Sequence, residues 1–114
     1  MNECIFCKIS AGDIPTPRIY ENDYAFVIDD INPVAKTHFL VITKKHYPNI
    51  SSIDYNDLGV LRGIHEAICE AVRIKQIETS GFRLISNCGE DSCQTVPHLH
   101  YHIVGGEKLS MRIV

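Results

Sequence analysis

An α+β fold built on one antiparallel sheet is the architecture this sequence predicts, and three observations lead to it. Five short runs are rich in aromatic and β-branched residues. One longer stretch repeats its apolar residues at helical spacing, and most connections are short polar turns. At 114 residues the chain suits one domain, residues 1–114, and is too short for two independent cores. A chain of this size buries about two-thirds of its unfolded surface, so it needs no staples to fold.

Taken in order, residues 4–11 suit a short helix or turn that Gly12 ends, and Pro15 and Pro17 forbid its continuation. Residues 18–21 and 24–29 flank Asn22-Asp23 as a two-residue hairpin turn. The second of these runs, Tyr-Ala-Phe-Val-Ile, has strand composition. Asn32-Pro33 marks a turn, and residues 38–43 form the third strand. Between about residues 54 and 76, Leu58, Leu61, His65, Ile68 and Val72 recur every three or four positions, and Ile64, Ala67 and Ala71 widen the stripe. Ser52 or Asp54 is the expected N-cap, and His65 is expected in the core or at an interface. Residues 82–86 form a fourth strand, 87–97 a polar loop and 98–104 a fifth strand. Periodicity does not set the order of the strands.

The composition excludes several classes of function. With 11 basic and 14 acidic residues the net charge is −3, which disfavours nucleic-acid binding by bulk charge. No apolar run approaches the ~20 residues of a membrane span. Met1-Asn2-Glu3-Cys4 lacks a basic n-region, so no secretory signal is read. Five cysteines, an odd number, do not make a disulfide framework. A cytoplasmic protein that binds neither membrane nor nucleic acid is expected.

The sharpest signal is His98-Leu99-His100-Tyr101-His102-Ile103-Val104. Side chains alternate along a strand, so three imidazoles share one face over about 13 Å while Leu99, Tyr101 and Ile103 take the other. Two plainer readings stand beside a catalytic one: half-buried packing, for which Val or Thr would serve better, and zinc held by all three rings. Cys4-Ile5-Phe6-Cys7 has a spacing that suits zinc, a disulfide oxidoreductase or neither. No strand precedes residue 4, as a thioredoxin-type site would require. Cys88 and Cys93 admit a redox pair, with nothing else in the sequence to support it.

His-φ-His-φ-His-φ-φ, with φ apolar, is the motif of the histidine triad (HIT) superfamily, which this sequence resembles over nearly its whole length. Ile5-Phe6-Cys7-Lys8-Ile9, Asp30-Ile31-Asn32-Pro33, Thr37 to Ile42 and Lys44-Lys45-His46 resemble its N-terminal half. Asn87, Gly89, Gln94 and Val96 resemble its phosphate loop, and Gly105-Gly106 is similar to the Hint branch. The resemblance implies a HIT-like fold: five antiparallel strands, one long helix and a short N-terminal helix, in a homodimer. It also implies a purine nucleotide hydrolase or transferase, of nucleoside phosphoramidase type, that forms a covalent nucleotidyl-histidine. A dinucleoside polyphosphate hydrolase and a nucleotide-binding scaffold with incidental catalysis are the alternatives.

Residue by residue, the resemblance implies His100 as nucleophile, with His102 against the α-phosphate. An imidazole is a competent nucleophile near neutral pH because its free base is abundant there. Asn87, Gln94 and Thr95 would contact phosphate, Thr95 standing where the Hint branch has Ser and passing a proton to the leaving group. Asp30 would receive the ribose hydroxyls. Tyr20, Ile28, Ile31 and Leu40 would wall the purine, although such residues are more often plain core. Cys4, Cys7, His46 and His98 would hold a structural zinc, a closed set with no open coordination position. Two departures are visible. Cys93 stands where the family has Gly, so a positive φ there would strain it. The chain has no Trp, and so lacks the C-terminal Trp of some Hint enzymes; the tail 107–114, with apolar Met111, Ile113 and Val114, is expected to reach a partner's site.

Overall fold

The computed structural model describes residues 3–113; Met1, Asn2 and Val114 lie outside the described residues. Its elements are α1 (Ile5–Ser10), β1 (Tyr20–Glu21), β2 (Ala25–Asp29), β3 (Thr37–Thr43), α2 (Leu58–Ile74), β4 (Phe82–Ile85) and β5 (His100–Gly105). The five strands form one sheet in the order β1-β2-β3-β5-β4, every neighbouring pair antiparallel. β5 is thus inserted between β3 and the edge strand β4. No helix among the described residues is long and apolar enough to cross a membrane.

The first hairpin turns one residue later than the sequence suggests. The Asn22 N–H bonds the Ala25 carbonyl, which makes Asp23-Tyr24 the loop. The Asn22 side-chain oxygen accepts the N–H groups of Tyr24 and Ala25, and this local satisfaction decides the position.

α2 starts later than its periodicity suggests because Asp57, rather than Ser52 or Asp54, caps it by accepting the Val60 N–H. Asp54 instead closes a turn onto Asn56, and Ser52 belongs to a short 3₁₀ turn capped by Asn49. The buried stripe of α2 is Val60, Ile64, Ala67, Ile68, Ala71 and Val72. Leu58 is 74% exposed and His65 is exposed, so neither belongs to the core. Asp57 sets the helix phase, and Tyr24 lies over Gly59 and Gly63, where a Cβ would stand 2.6 Å from it.

Two apolar clusters sandwich the sheet. On the α2 face, Val27, Phe39, Val41, Leu99, Tyr101 and Ile103 meet the helix. On the opposite face, Phe26, Ile28, Leu40 and Ile42 are covered by Phe6 and Ile9 of α1. Leu40 pairs with His102 and Ile42 with His100, so the histidines stand on this second face.

Candidate functional site

The three histidines share a face as alternation requires, although the regular strand begins only at His100. Ahead of it, the His98 N–H turns back to the Val96 carbonyl and the Leu99 N–H bonds the Tyr47 carbonyl. Such off-ladder bonding anchors His98 to the turn that follows β3. All of His98 and nearly all of His100 are buried, while the His102 side chain is about one-quarter exposed (23%). Phe6 meets both His98 and His100 edge-on, with centroids 5.8 and 5.0 Å away.

Hydrogen bonds assign the protons on these rings. The His100 Nδ1–H donates to the His98 carbonyl at 2.7 Å, which leaves the Nε2 lone pair available. Next to it, at 5.2 Å between centroids, is His102. Its orientation depends on His38, the second residue of β3. The Val34 N–H donates to His38 Nδ1 at 3.1 Å, so the proton of that ring sits on Nε2. That Nε2 lies 2.9 Å from His102 Nδ1 and 3.2 Å from Asp30 Oδ2. Donation to His102 Nδ1 leaves the His102 proton on Nε2. Burial, together with the imidazoles of His100 and His38, pushes His102 below the ordinary histidine range, while Asp30 opposes the shift. Asp30, His38 and His102 also bring three ligand-type atoms together. Because the Val34 bond uses the lone pair of His38, the trio forms a hydrogen-bond chain rather than a metal cradle.

Cys4, Cys7, His46 and His98 form a second constellation at the other end of the histidine row. Their four ligand atoms lie within 4.8 Å of one another. His98 Nδ1 is 3.2 Å from Cys4 Sγ, 3.4 Å from Cys7 Sγ and 3.1 Å from His46 Nδ1, and Cys7 Sγ is 3.2 Å from His46 Nδ1. The far nitrogen of His98 donates to the Thr43 carbonyl at 2.7 Å, which turns the Nδ1 lone pair toward the sulfurs. Burial pushes the Cys4 thiol up and His98 down, each toward its neutral form. Helix α1 supplies both sulfurs from its start, the turn after β3 supplies His46, and the approach to β5 supplies His98. These four residues are a possible metal-binding cluster.

Other residues singled out in the sequence lie at varying distances from this arrangement. Ile28 and Leu40 are buried on the histidine face. Tyr20 pairs with Val27, packs on the α2 face and bonds Glu66 through its hydroxyl, so it stands across the sheet from the histidines. Expecting it in a purine wall fails because the face of a two-residue strand is set by its pairing. Ile31 is 91% exposed beyond β2. Asp30 Oδ1 accepts the Asn32 N–H at 2.8 Å. Asn87 borders a cavity with His102. Gln94 braces its loop, accepting the Gly89 N–H and donating to the Pro48 and Val96 carbonyls. Thr95 is exposed. Cys93 does adopt a left-handed conformation, with φ 62° and ψ 37°. The tail folds back on its own sheet, where the Ser110 carbonyl takes an Arg83 guanidinium N–H.

Comparison with known proteins places this geometry in a family. The HIT domain model matches residues 11–109. A histidine triad protein from Clostridium difficile is 44% identical, with a TM-score of 0.89 and 96% of each chain covered. A HIT family hydrolase from Clostridium thermocellum is 38% identical, with a TM-score of 0.92 over 100% of this chain and 99% of that one. A histidine triad nucleotide-binding protein from Candida albicans is 28% identical, with a TM-score of 0.80 over 89% of this chain and 73% of that one. With the alternating histidines, the high TM-scores and a family match over most of its length, this chain belongs to the HIT domain family.

Proposed function

We propose that this chain is a purine nucleotide-binding hydrolase or nucleotidyl transferase of the Hint-like branch, of nucleoside phosphoramidase type. The observation that carries the reading is the His100 ring, whose Nδ1 is committed to the His98 carbonyl at 2.7 Å while Nε2 keeps its lone pair beside His102. The similar chains named as a hydrolase and as a nucleotide-binding protein support the class.

In the first step His100 Nε2 attacks the α-phosphorus, and an N–P bond forms as the bond to the leaving group breaks. Thr95 passes a proton to the departing group. His102 donates from Nε2 to a phosphate oxygen as charge builds there, a role suited to a fixed neutral donor. Water then attacks phosphorus and yields its proton to Thr95, which restores the hydroxyl used in the first step; the N–P bond breaks, the nucleoside monophosphate leaves and the His100 lone pair is restored. Asn87 and Gln94 shape the phosphate loop, Asp30 receives the ribose, and Ile28 and Leu40 form the apolar floor beneath the base.

Cys4, Cys7, His46 and His98 fit zinc. Tetrahedral zinc with bonds of 2.0–2.3 Å separates its ligand atoms by about 3.3–3.8 Å, close to the spacings here. A closed set of this kind supplies structure rather than an activated water. The reading takes residues 1–114 as one domain in the cytoplasm, consistent with five cysteines of which none is in a disulfide. It also takes the protein as a homodimer. The edge strand β4 exposes Phe82 and Leu84, and α2 exposes Leu58 and Ile74, surfaces a two-fold partner would cover. Sedimentation at micromolar concentration should give about twice 12.9 kDa.

The test is a mass measurement on acid-sparing quench of the enzyme with adenosine 5′-phosphoramidate. An adduct of one adenylyl group at His100 is expected, absent in His100→Ala, which should lose turnover by several orders of magnitude yet still bind nucleotide. Undiminished turnover in His100→Ala would refute the mechanism.

A further inference from the structure

Beside His102 the histidine face carries a cavity of about 740 Å³, bordered by His38 on β3, His102 on β5 and Arg83 on β4, with Asn87 just after β4. In the β4–β5 ladder Ile85 pairs with His102 and Arg83 with Val104. Arg83 therefore shares the histidine face and is a diagonal neighbour of His102, about 7–8 Å away. Arg83 is partly buried as a residue, while its guanidinium donates to the Ser110 carbonyl in an exposed bond. Among the described residues it forms no ion pair. No Asp, Glu or Lys lines the cavity, so Arg83 brings its one formal charge.

A guanidinium that borders a cavity and has no carboxylate partner is open to an anionic ligand. Five N–H donors in a planar fork match a phosphate or carboxylate, and the Ser110 bond leaves most of them open. From phosphorus held between His100 and His102, the departing group points away from His100, in line with the forming bond. Asp30, 3.2 Å from His38, marks the β2–β3 side of the cavity for the ribose, while Arg83 marks its β4 side.

We infer that this cavity is a leaving-group subsite for a negatively charged group, with Arg83 as its counter-ion. The inference rests on the proposed attack by His100 and deepens it by naming the substrate class. The preferred substrate carries an anion just past the scissile bond, either the next phosphate of a polyphosphate or the carboxylate of an amino-acid phosphoramidate.

The experiment compares three substrates: an adenosine phosphoramidate of methylamine, the same compound made with glycine, and a diadenosine polyphosphate. In the parent enzyme at least one anionic leaving group should exceed the neutral one in kcat/KM by tenfold or more. Whichever arm does so identifies the source of the anion. Arg83→Gln should reduce that ratio at least tenfold, and Arg83→Lys should retain part of it. A ratio near one in the parent, or one unchanged in Arg83→Gln, overturns the inference and leaves the hydrolase reading standing.

A binding arm decides the matter without turnover. In His100→Ala, ADP should bind more tightly than AMP, and adding Arg83→Gln should erase the difference in a protein that melts as the parent does. Equal affinities, or a preference that survives Arg83→Gln, overturn the inference. Failure to bind either nucleotide removes the proposed function together with it.

Discussion

Replacing Cys93 with glycine should stabilise the protein, and the magnitude follows from one backbone angle. Cys93 closes the 3₁₀ turn Glu90–Ser92 with φ 62° and ψ 37°, the left-handed region. A residue with a Cβ is disfavoured there by about 1–2 kcal/mol. Glycine removes that cost but gives the unfolded chain more freedom, worth about 0.4–1 kcal/mol in the opposite direction. The net expectation is a gain of about 0.5–1 kcal/mol. Guanidinium unfolding should show a higher midpoint at an unchanged slope, and the melting temperature should rise by about 2–6 °C. Protein concentration and metal content must match between samples, because both shift apparent stability. Cys93→Ala is the control, since it removes the thiol but keeps the Cβ and the strain. If alanine stabilised as much as glycine, or if glycine did not stabilise at all, the strain argument would be wrong. The loop tied down by Gln94 runs directly into His98, so the strain is stored beside the candidate site.

Three further outcomes are expected. Gly63→Ala should destabilise by about 1–2 kcal/mol in thermal or chemical melts: a Cβ there would stand 2.6 Å from the Tyr24 Cβ, which cannot swing away, and overpacking outweighs the helix-propensity gain. Removing metal with a chelator, or substituting Cys7→Ser, should lower the melting temperature, and elemental analysis of the untreated protein should find about one zinc per chain; an untreated metal-free protein of equal stability would contradict this. Stability should fall as pH drops below the ordinary histidine value of about 6.5, because burial keeps His102 and His98 unprotonated in the folded state while the unfolded chain takes up protons. The contribution is intact above that pH, and His102→Gln should flatten the acid limb of a plot of denaturant midpoint against pH.

The alternation of His98, His100 and His102 was readable from sequence because a strand has only two faces and a period of two. The same logic marked Leu99, Tyr101 and Ile103 as core, and they pack against α2. A long helix was equally legible, and so was most of its buried stripe, Ile64, Ala67, Ile68, Ala71 and Val72; only its N-terminal part was not. Leu58 and Leu61 satisfy the spacing as well as Val60 and Ile64 do, and Asp57 and the ring of Tyr24 select between them. Local periodicity cannot encode that choice, because both stripes are apolar.

Only the tertiary structure decided what depends on register between distant segments. Cys4 and His98 are separated by 94 positions in sequence, yet their ligand atoms stand 3.2 Å apart through the packing of α1 beneath the sheet. His38 contacts His102 because β3 pairs directly with β5, placing Leu40 opposite His102, and a one-residue slip would send His38 to the other face. Tyr20 reads by itself more readily as core than as a ligand wall, and its pairing with Val27 puts it on the α2 face. Arg83 carries no motif at all. It gains its meaning from standing diagonally across from His102 on the strand that lies beyond β5, a neighbour relation that exists only once β5 has been inserted between β3 and β4.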